Sequence, residues 1–218
     1  MAENTLLVYN QRVACKELLF ETGFAEGWEQ DFEIPRGSWK AENGVLTGEY
    51  LAEGGALIYT RRPFPGDILL DFYARMIPPC SNDLNFTFRA RGWDYEKDDA
   101  DLGYIAGLNG WWTGQLGIEK YPSCSPQALT RAFQAVPGTE YHIQAGITGS
   151  RCFIAIDGSV LLELSDPNPL DAPDCCRAGL GVYASRIAFR QFRIYRTEAE
   201  TLPLAYLSGE NKSKPLVN

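Results

Sequence analysis

Hydrophobic and polar residues alternate along much of this chain with a period of two. Between residues 67 and 77, Ile68, Leu70, Phe72, Ala74 and Met76 fall on one side, with Leu69, Asp71, Tyr73 and Arg75 on the other. The next run repeats the pattern, with Leu84, Phe86, Phe88 and Ala90 opposite Asn85, Thr87, Arg89 and Arg91. Successive side chains of a strand point to opposite faces, so this is the signature of strands with one buried side. The same reading predicts strands over residues 18–21, 38–41, 45–51, 56–61, 103–108, 116–120, 141–148, 151–156, 160–164, 179–184 and 187–195. Asn43-Gly44, Asn109-Gly110 and Asp157-Gly158 mark tight turns, because Gly, Asn and Asp accept positive φ there. No long amphipathic helix stands out, and residues 125–135 are the stretch that fits a short one. So many strands, spaced about 8–12 residues apart, predict an all-β chain of two packed antiparallel sheets or a barrel. One domain is expected over residues 1–196, and 197–218, with its polar GENKSK stretch, reads as a surface-packed or frayed tail.

Composition narrows the partners. The chain has 218 residues and a formal net charge of −8, which argues against a nucleic-acid partner, since that needs a basic face. No apolar run approaches the roughly 18 residues of a membrane span, so no membrane association is expected. The start, MAENTLLVYNQR, has no apolar core before a small-residue cleavage site, so a cytoplasmic location is the expectation. Cys15, Cys80, Cys124, Cys152, Cys175 and Cys176 contain no C-x-x-C spacing and are expected as free thiols in that compartment. A single histidine, His142, leaves one imidazole for catalysis and no basis for a His-rich metal cage.

Several clusters carry candidate chemistry. Glu29, Asp31 and Glu33 stand at alternate positions, and on a strand they would share one face, as a nucleophile, an orienting acid and a general acid must. The competing expectation is a solvated connection ahead of the Trp39 strand. Residues 94–101 hold five carboxylates between two strands. Calcium takes such hard oxygens on a turning backbone, although no EF-hand spacing is present and no cofactor is required by the sequence. Asp166, Asp171 and Asp174 make a second acidic, Pro-rich loop. The run Gly179-Leu180-Gly181 is followed by a strand rather than a helix, so it lacks the context of a dinucleotide fingerprint. The polar sides of the long strands carry most of the signal. Asp71, Tyr73 and Arg75 share one, Asn85, Arg89 and Arg91 another, and Tyr104, Glu119, His142 and Gln144 are expected to extend them. Trp93, Trp111, Trp112 and Tyr121 are expected at the rims, where aromatic rings take the CH faces of sugars. Arg75, Arg89 and Arg91 would then form a local basic face on an acidic protein.

Longer stretches resemble known proteins. Glu29 to Glu33 resembles the E-x-D-x-E signature of laminarinase-like glycoside hydrolases, with Gln30 where that family has an aliphatic residue. More broadly, LLFETGFAEGWEQDFEIPRGSWKAENGVLTGEY, FPGDILLDFYARMIPPCSNDLNFTFRARG, IDGSVLLELSDPNP and AGLGVYASRIAFRQFRIYR resemble concanavalin A-like lectin/glucanase jelly rolls of the bacterial 3-keto-disaccharide hydrolase and YesU-like type. The resemblance implies a two-sheet antiparallel jelly-roll sandwich with a ligand site on its concave sheet, at Asp71, Arg75, Asn85 and Arg89, with Tyr104 beside them.

Three functions stand open at this point. In an enzyme acting on a glycoside or modified sugar, Asp71, Glu119 or His142 would be the acid or base. Tyr73, Arg75, Asn85, Arg89, Arg91, Tyr104, Trp111, Trp112 and Gln144 would hold the saccharide. A non-catalytic carbohydrate-binding module needs only the aromatic platform and the hydroxyl-binding groups. A protein-interaction subunit would use the same face for a protein partner, and the oligomeric state stays open.

Overall fold

Alternation becomes a continuous antiparallel ladder. The computed structural model describes residues 5–111, 114–123 and 125–203. Its strands are β1 (Thr5–Val8), β2 (Gln11–Thr22), β3 (Phe32–Glu33), β4 (Ser38–Glu42), β5 (Val45–Thr60), β6 (Ile68–Met76), β7 (Leu84–Ala90) and β8 (Trp93–Asp94). They continue as β9 (Asp99–Ala100), β10 (Gly103–Gly110), β11 (Gln115–Tyr121), β12 (Ser125–Thr130), β13 (Tyr141–Thr148), β14 (Arg151–Ile156), β15 (Ser159–Ser165) and β16 (Arg177–Thr201). All but the small β8–β9 hairpin belong to one 14-stranded sheet.

That sheet folds over on itself because β16 belongs to both halves. Residues 177–183 of β16 pair with β7 and with the end of β5, continuing a first layer of β12, β11, β10 and β7. Residues 187–201 pair with β6 and β2, and 185–189 also with the start of β5, continuing a second layer of β15, β14, β13 and β6. The inward side chains of both layers form one core. Phe86, Tyr104, Ile118 and Leu180 of the first layer meet Ile68, Phe72, Ile143 and Ile154 of the second. Phe72 and Phe86 touch edge to face across the gap, their ring centroids 5.5 Å apart. Burying one such ring contributes roughly 2–3 kcal/mol. This is the expected all-β, two-sheet jelly-roll sandwich.

Smaller apolar clusters close the outer faces. The turn of β1 into β2 brings Leu6, Val8 and Val13 onto Leu69, Phe153 and Ala155, outside the second layer. The β8–β9 hairpin brings Trp93 and Ala100 onto Leu57, Tyr59 and Ile105, outside the first.

Some expected boundaries change. Residues 45–51 and 56–61 are one strand, β5, and residues 179–184 and 187–195 are one strand, β16. The phase of alternation breaks at Ala184, which has φ 45, and the register against β5 shifts between Tyr183 and Ser185. A bulge resets the side-chain phase without ending the ladder, so it reads in sequence as a gap. Residues 125–130 form the edge strand β12 paired to β11 rather than a helix. Pro126 is tolerated there because an edge strand does not need every N–H. Thr197 to Thr201, expected in the tail, pair with Cys15 to Gln11. The rest of that tail, from residue 204 on, lies outside the described residues, as does Cys124. Cys15, Cys80, Cys152, Cys175 and Cys176 are free thiols.

Gly179 tests how tightly β16 is held. A Cβ there would sit 1.9 Å from the Ile58 carbonyl oxygen, a backbone atom that cannot swing aside. Gly179→Ala is therefore expected to lower unfolding free energy by about 3 kcal/mol. Urea denaturation measures it, and a loss below about 0.5 kcal/mol would show that the ladder yields there.

Candidate functional site

Side-chain size shapes the outer face of the first layer. Where β10, β11 and β16 turn outward they carry Gly107, Gly117, Gly179 and Gly181, a stripe onto which Trp111, Asn85, Leu57 and Thr87 pack closely. Longer side chains stand around it, leaving a cleft of about 400 Å³. Trp93, Trp111, Tyr121 and Tyr183 supply rings, Leu57 and Ile105 apolar surface, and Asp83, Asn85, Asp99 and Glu119 polar groups.

Local backbone geometry puts these groups in place. β10 ends at the Asn109-Gly110 turn, where Asn109 has φ 59 and Trp111 φ 47. The Asn109 side chain locks the turn, donating to the Ala135 carbonyl at 2.8 Å and accepting the Ala135 N–H at 2.9 Å. The turn swings the Trp111 ring back over Gly117, where a Cβ would lie 2.5 Å from the ring. Trp111 Nε1 then donates to Glu119 Oε2 at 2.7 Å. Asp83 precedes β7 and packs over Gly110, where a Cβ would lie 2.4 Å from Asp83 Oδ1.

These polar groups are under-satisfied. Asp83 Oδ1 and Asn85 Oδ1 are buried without a hydrogen-bond partner among the described residues. Burial, reinforced by the negative charge of Glu119, pushes the Asp83 carboxyl up to about 7. Burial also raises Glu119, and the Asp99 charge adds to this, against the lowering effect of the Trp111 N–H. Both carboxyls in the cleft are thus pushed toward the protonated form, Asp83 to about 7.

The expected site residues do not all meet there. Asn85, Glu119 and Trp111 line the cleft, and Trp112 lies outside the described residues. Asp71, Tyr73, Arg75, His142 and Gln144 are on the outer face of the second layer, on the paired strands β6 and β13. Asp71 is 3% exposed and takes Gln144 Nε2 at 3.0 Å and His142 Nε2 at 3.1 Å, with Arg193 Nη1 at 3.7 Å. The His142 ring stacks on Tyr73 at 4.7 Å, and the Arg190 guanidinium covers Tyr73 at 4.2 Å.

Tyr104 and Arg89 are corrections. Tyr104 is fully buried between the layers, its hydroxyl donating to Asp166 Oδ2 at 2.7 Å and accepting the Leu170 N–H at 3.1 Å. Lys120 also reaches Asp166, at 2.7 Å, so this part of the acidic loop is a structural knot. Arg89 has φ 44, which breaks the alternation of β7 and takes its side chain off the Asn85 face. It donates to the Leu170 carbonyl at 3.0 Å and to Asp67 Oδ1 at 3.1 Å. Arg91 sits apart, paired with Asp174 at 2.7 Å and Asp101 at 3.4 Å. Arg75, Arg89 and Arg91 therefore form no common basic face.

The acidic motifs are also dispersed. Glu29 and Asp31 lie in a 3-10 turn (Trp28–Asp31) and Glu33 in β3, so the three share no strand face. Glu33 instead accepts from Arg177 Nη2 at 2.5 Å and from the Tyr95 hydroxyl at 2.6 Å. In the 94–101 loop, Asp94 caps the Glu96 and Lys97 N–H groups at 3.0 and 3.1 Å, and Asp98 pairs with Arg36. Among the described residues, no group of three His, Cys, Asp or Glu side chains is arranged to hold a metal ion.

Asp83 escaped the sequence reading because it lies before the predicted strand. Its spacing of two from Asn85, which puts both on one face, was the available signal. Tyr183 was hidden in an apolar run beside the bulge.

No family profile matches this chain, and no curated protein sequence does. Solved structures do match its fold. The carbohydrate-binding module CBM66 from Bacillus subtilis superposes with a TM-score of 0.61 at 16% identity, over 76% of this chain and 95% of that one. A Bacillus subtilis protein of unknown function with a galectin-like fold gives 0.64 at 10% identity, over 85% and 98%. The VIP36 exoplasmic/lumenal domain, in its Ca2+/Man3GlcNAc-bound form, gives 0.60 at 10% identity, over 93% and 98%.

The raised Asp83 carboxyl has a consequence for stability. Between its ordinary value of 3.8 and about 7, the folded protein keeps a proton that the unfolded chain releases. Stability therefore falls as pH rises through that window and stays lower above it. Asp83→Asn removes this loss, so the variant is expected to be more stable than the parent by about 2–4 kcal/mol at about pH 8, and similar to it below about pH 4. Urea denaturation across pH checks this, and identical pH profiles would rule out a buried, proton-holding Asp83.

Proposed function

We propose that the cleft on the first layer binds a saccharide. One observation carries this reading: rings of Trp93, Trp111, Tyr121 and Tyr183 stand around a cleft whose lining includes Asp83 and Asn85, each with a buried acceptor oxygen and no protein donor. A sugar is the complementary object, since its CH faces pack on rings and its hydroxyls donate to stranded carboxylate and amide oxygens. The fold likeness to a carbohydrate-binding module and to a mannoside-bound lumenal domain supports this reading. So does the sequence resemblance to 3-keto-disaccharide hydrolase and YesU-like chains.

A second reading, hydrolysis of the bound sugar, is favoured by one further observation. Asp83 and Glu119 stand in one cleft, and burial with the nearby Glu119 charge pushes Asp83 up to about 7, so below that pH it holds the proton that a general acid must give. In that case Asp83→Asn abolishes product formation while saccharide binding persists. Binding without product from any saccharide that binds would leave a lectin-like module.

Calorimetric titration against an oligosaccharide panel tests the site. Trp111→Ala and Tyr183→Ala are each expected to weaken binding about tenfold, the loss of one stacked ring. Arg75→Ala, on the opposite layer, is expected to leave it unchanged. The reverse pattern would move the site to the Asp71 face.

A further inference from the structure

The chemistry of the cleft also bears on which sugar it takes. Its described lining residues include Asp83, Asn85, Asp99 and Glu119, but no Lys, Arg or His. Neighbouring arginines are committed elsewhere. Arg36, over the Trp93 ring at 4.8 Å, is paired with Asp98, and Arg91 is paired with Asp101 and Asp174.

Buried oxygens without donors set the demand. Asn85 is 7% exposed, and its Oδ1 has no partner. Asp83 Oδ1 is in the same state, packed over Gly110 beside the Trp111 turn. Each stranded acceptor costs about 1–3 kcal/mol until a ligand supplies a donor. A hydroxyl supplies one donor and carries acceptors of its own, whereas an ammonium supplies three donors and no acceptor. An ammonium also brings positive charge to two desolvated carboxyls and to the faces of tryptophan rings. Burial raises both carboxyls, and the negative charges of Glu119 at Asp83 and of Asp99 at Glu119 add to this.

We propose, resting on the saccharide reading above, that this cleft selects sugars carrying a protonated amine over neutral sugars and rejects uronates. A uronate would place a third carboxylate beside Asp83 and Glu119 with no cation to receive it.

The experiment compares soluble trimers at about pH 7 and low salt by calorimetry. Glucosamine trimer, N-acetylglucosamine trimer and cellotriose share one backbone and differ at the 2-position, and galacturonate trimer supplies the acidic arm. The amine is expected to bind about tenfold tighter than the two neutral trimers, the difference between a charge-assisted and a neutral hydrogen bond. Galacturonate is expected to show no binding. Asp83→Asn is expected to bring the amine-to-neutral ratio close to one, and Glu119→Gln serves if that variant fails to fold. Neutral trimers binding as well as the amine, or tighter galacturonate binding, would overturn the selectivity and leave the saccharide reading standing. An unchanged ratio in both carboxyl variants would overturn it too. No binding by any trimer, nor by the wider oligosaccharide panel, would overturn both.

Discussion

Strand β16 must serve two layers at once, and most of the architecture follows from how it does so. It is hydrogen-bonded to β2, β5, β6 and β7 along its 25 residues. Its core-facing residues are Ala178, Leu180 and Val182, then Ile187 and Phe189, then Phe192 and Ile194. The inward phase changes parity twice, at the two residues of the strand with positive φ, Ala184 (φ 45) and Gln191 (φ 54). A continuous strand crossing from one layer to the other would otherwise turn its apolar side to solvent, and each bulge restores it to the core. Arg89, with φ 44, does the same for β7, sending Phe88 to the main core and Ala90 to the cluster under Trp93.

The cleft is the outward consequence of this phasing. Once Leu180, Val182, Ala106 and Ile118 point inward, Gly179, Gly181, Gly107 and Gly117 must lie on the outer face. Those positions have no side chains of their own, so Trp111, Asn85 and Leu57 fold down onto the backbone there. Asp83 and Asn85 then face a space from which protein donors are missing. Other buried polar groups are paired. Tyr104, Asp166 and Lys120 form one such knot, and Asp71, Gln144 and His142 another.

That contrast separates the two candidate faces. Asp71 is as deeply buried as any cleft carboxylate, yet its oxygens meet an amide, an imidazole and a guanidinium. A satisfied buried charge fixes strand packing and has little to offer a ligand. Asp83, with an oxygen left bare, gains when something donates to it.

By itself the sequence determined the fold class and many strand positions, with Tyr141–Thr148 and Arg151–Ile156 matched at both ends. Period-two alternation is a local property of the pleated backbone, so local pattern suffices to read it. It also singled out Asn85, Glu119 and Trp111. It did not reveal that they and Asp71 lie on opposite layers, nor that Tyr104 points into the core. Each strand shows two faces, and sequence cannot say which faces of which strands adjoin once a bulge has shifted the phase. Pairing partners lie up to 190 residues apart, as Gln11 and Thr201 do, and only the folded ladder decides them. The same holds for Asp83: its chemistry depends on the neighbours it lacks, and that shortage exists only after Gly110, Glu119 and Trp111 have closed around it.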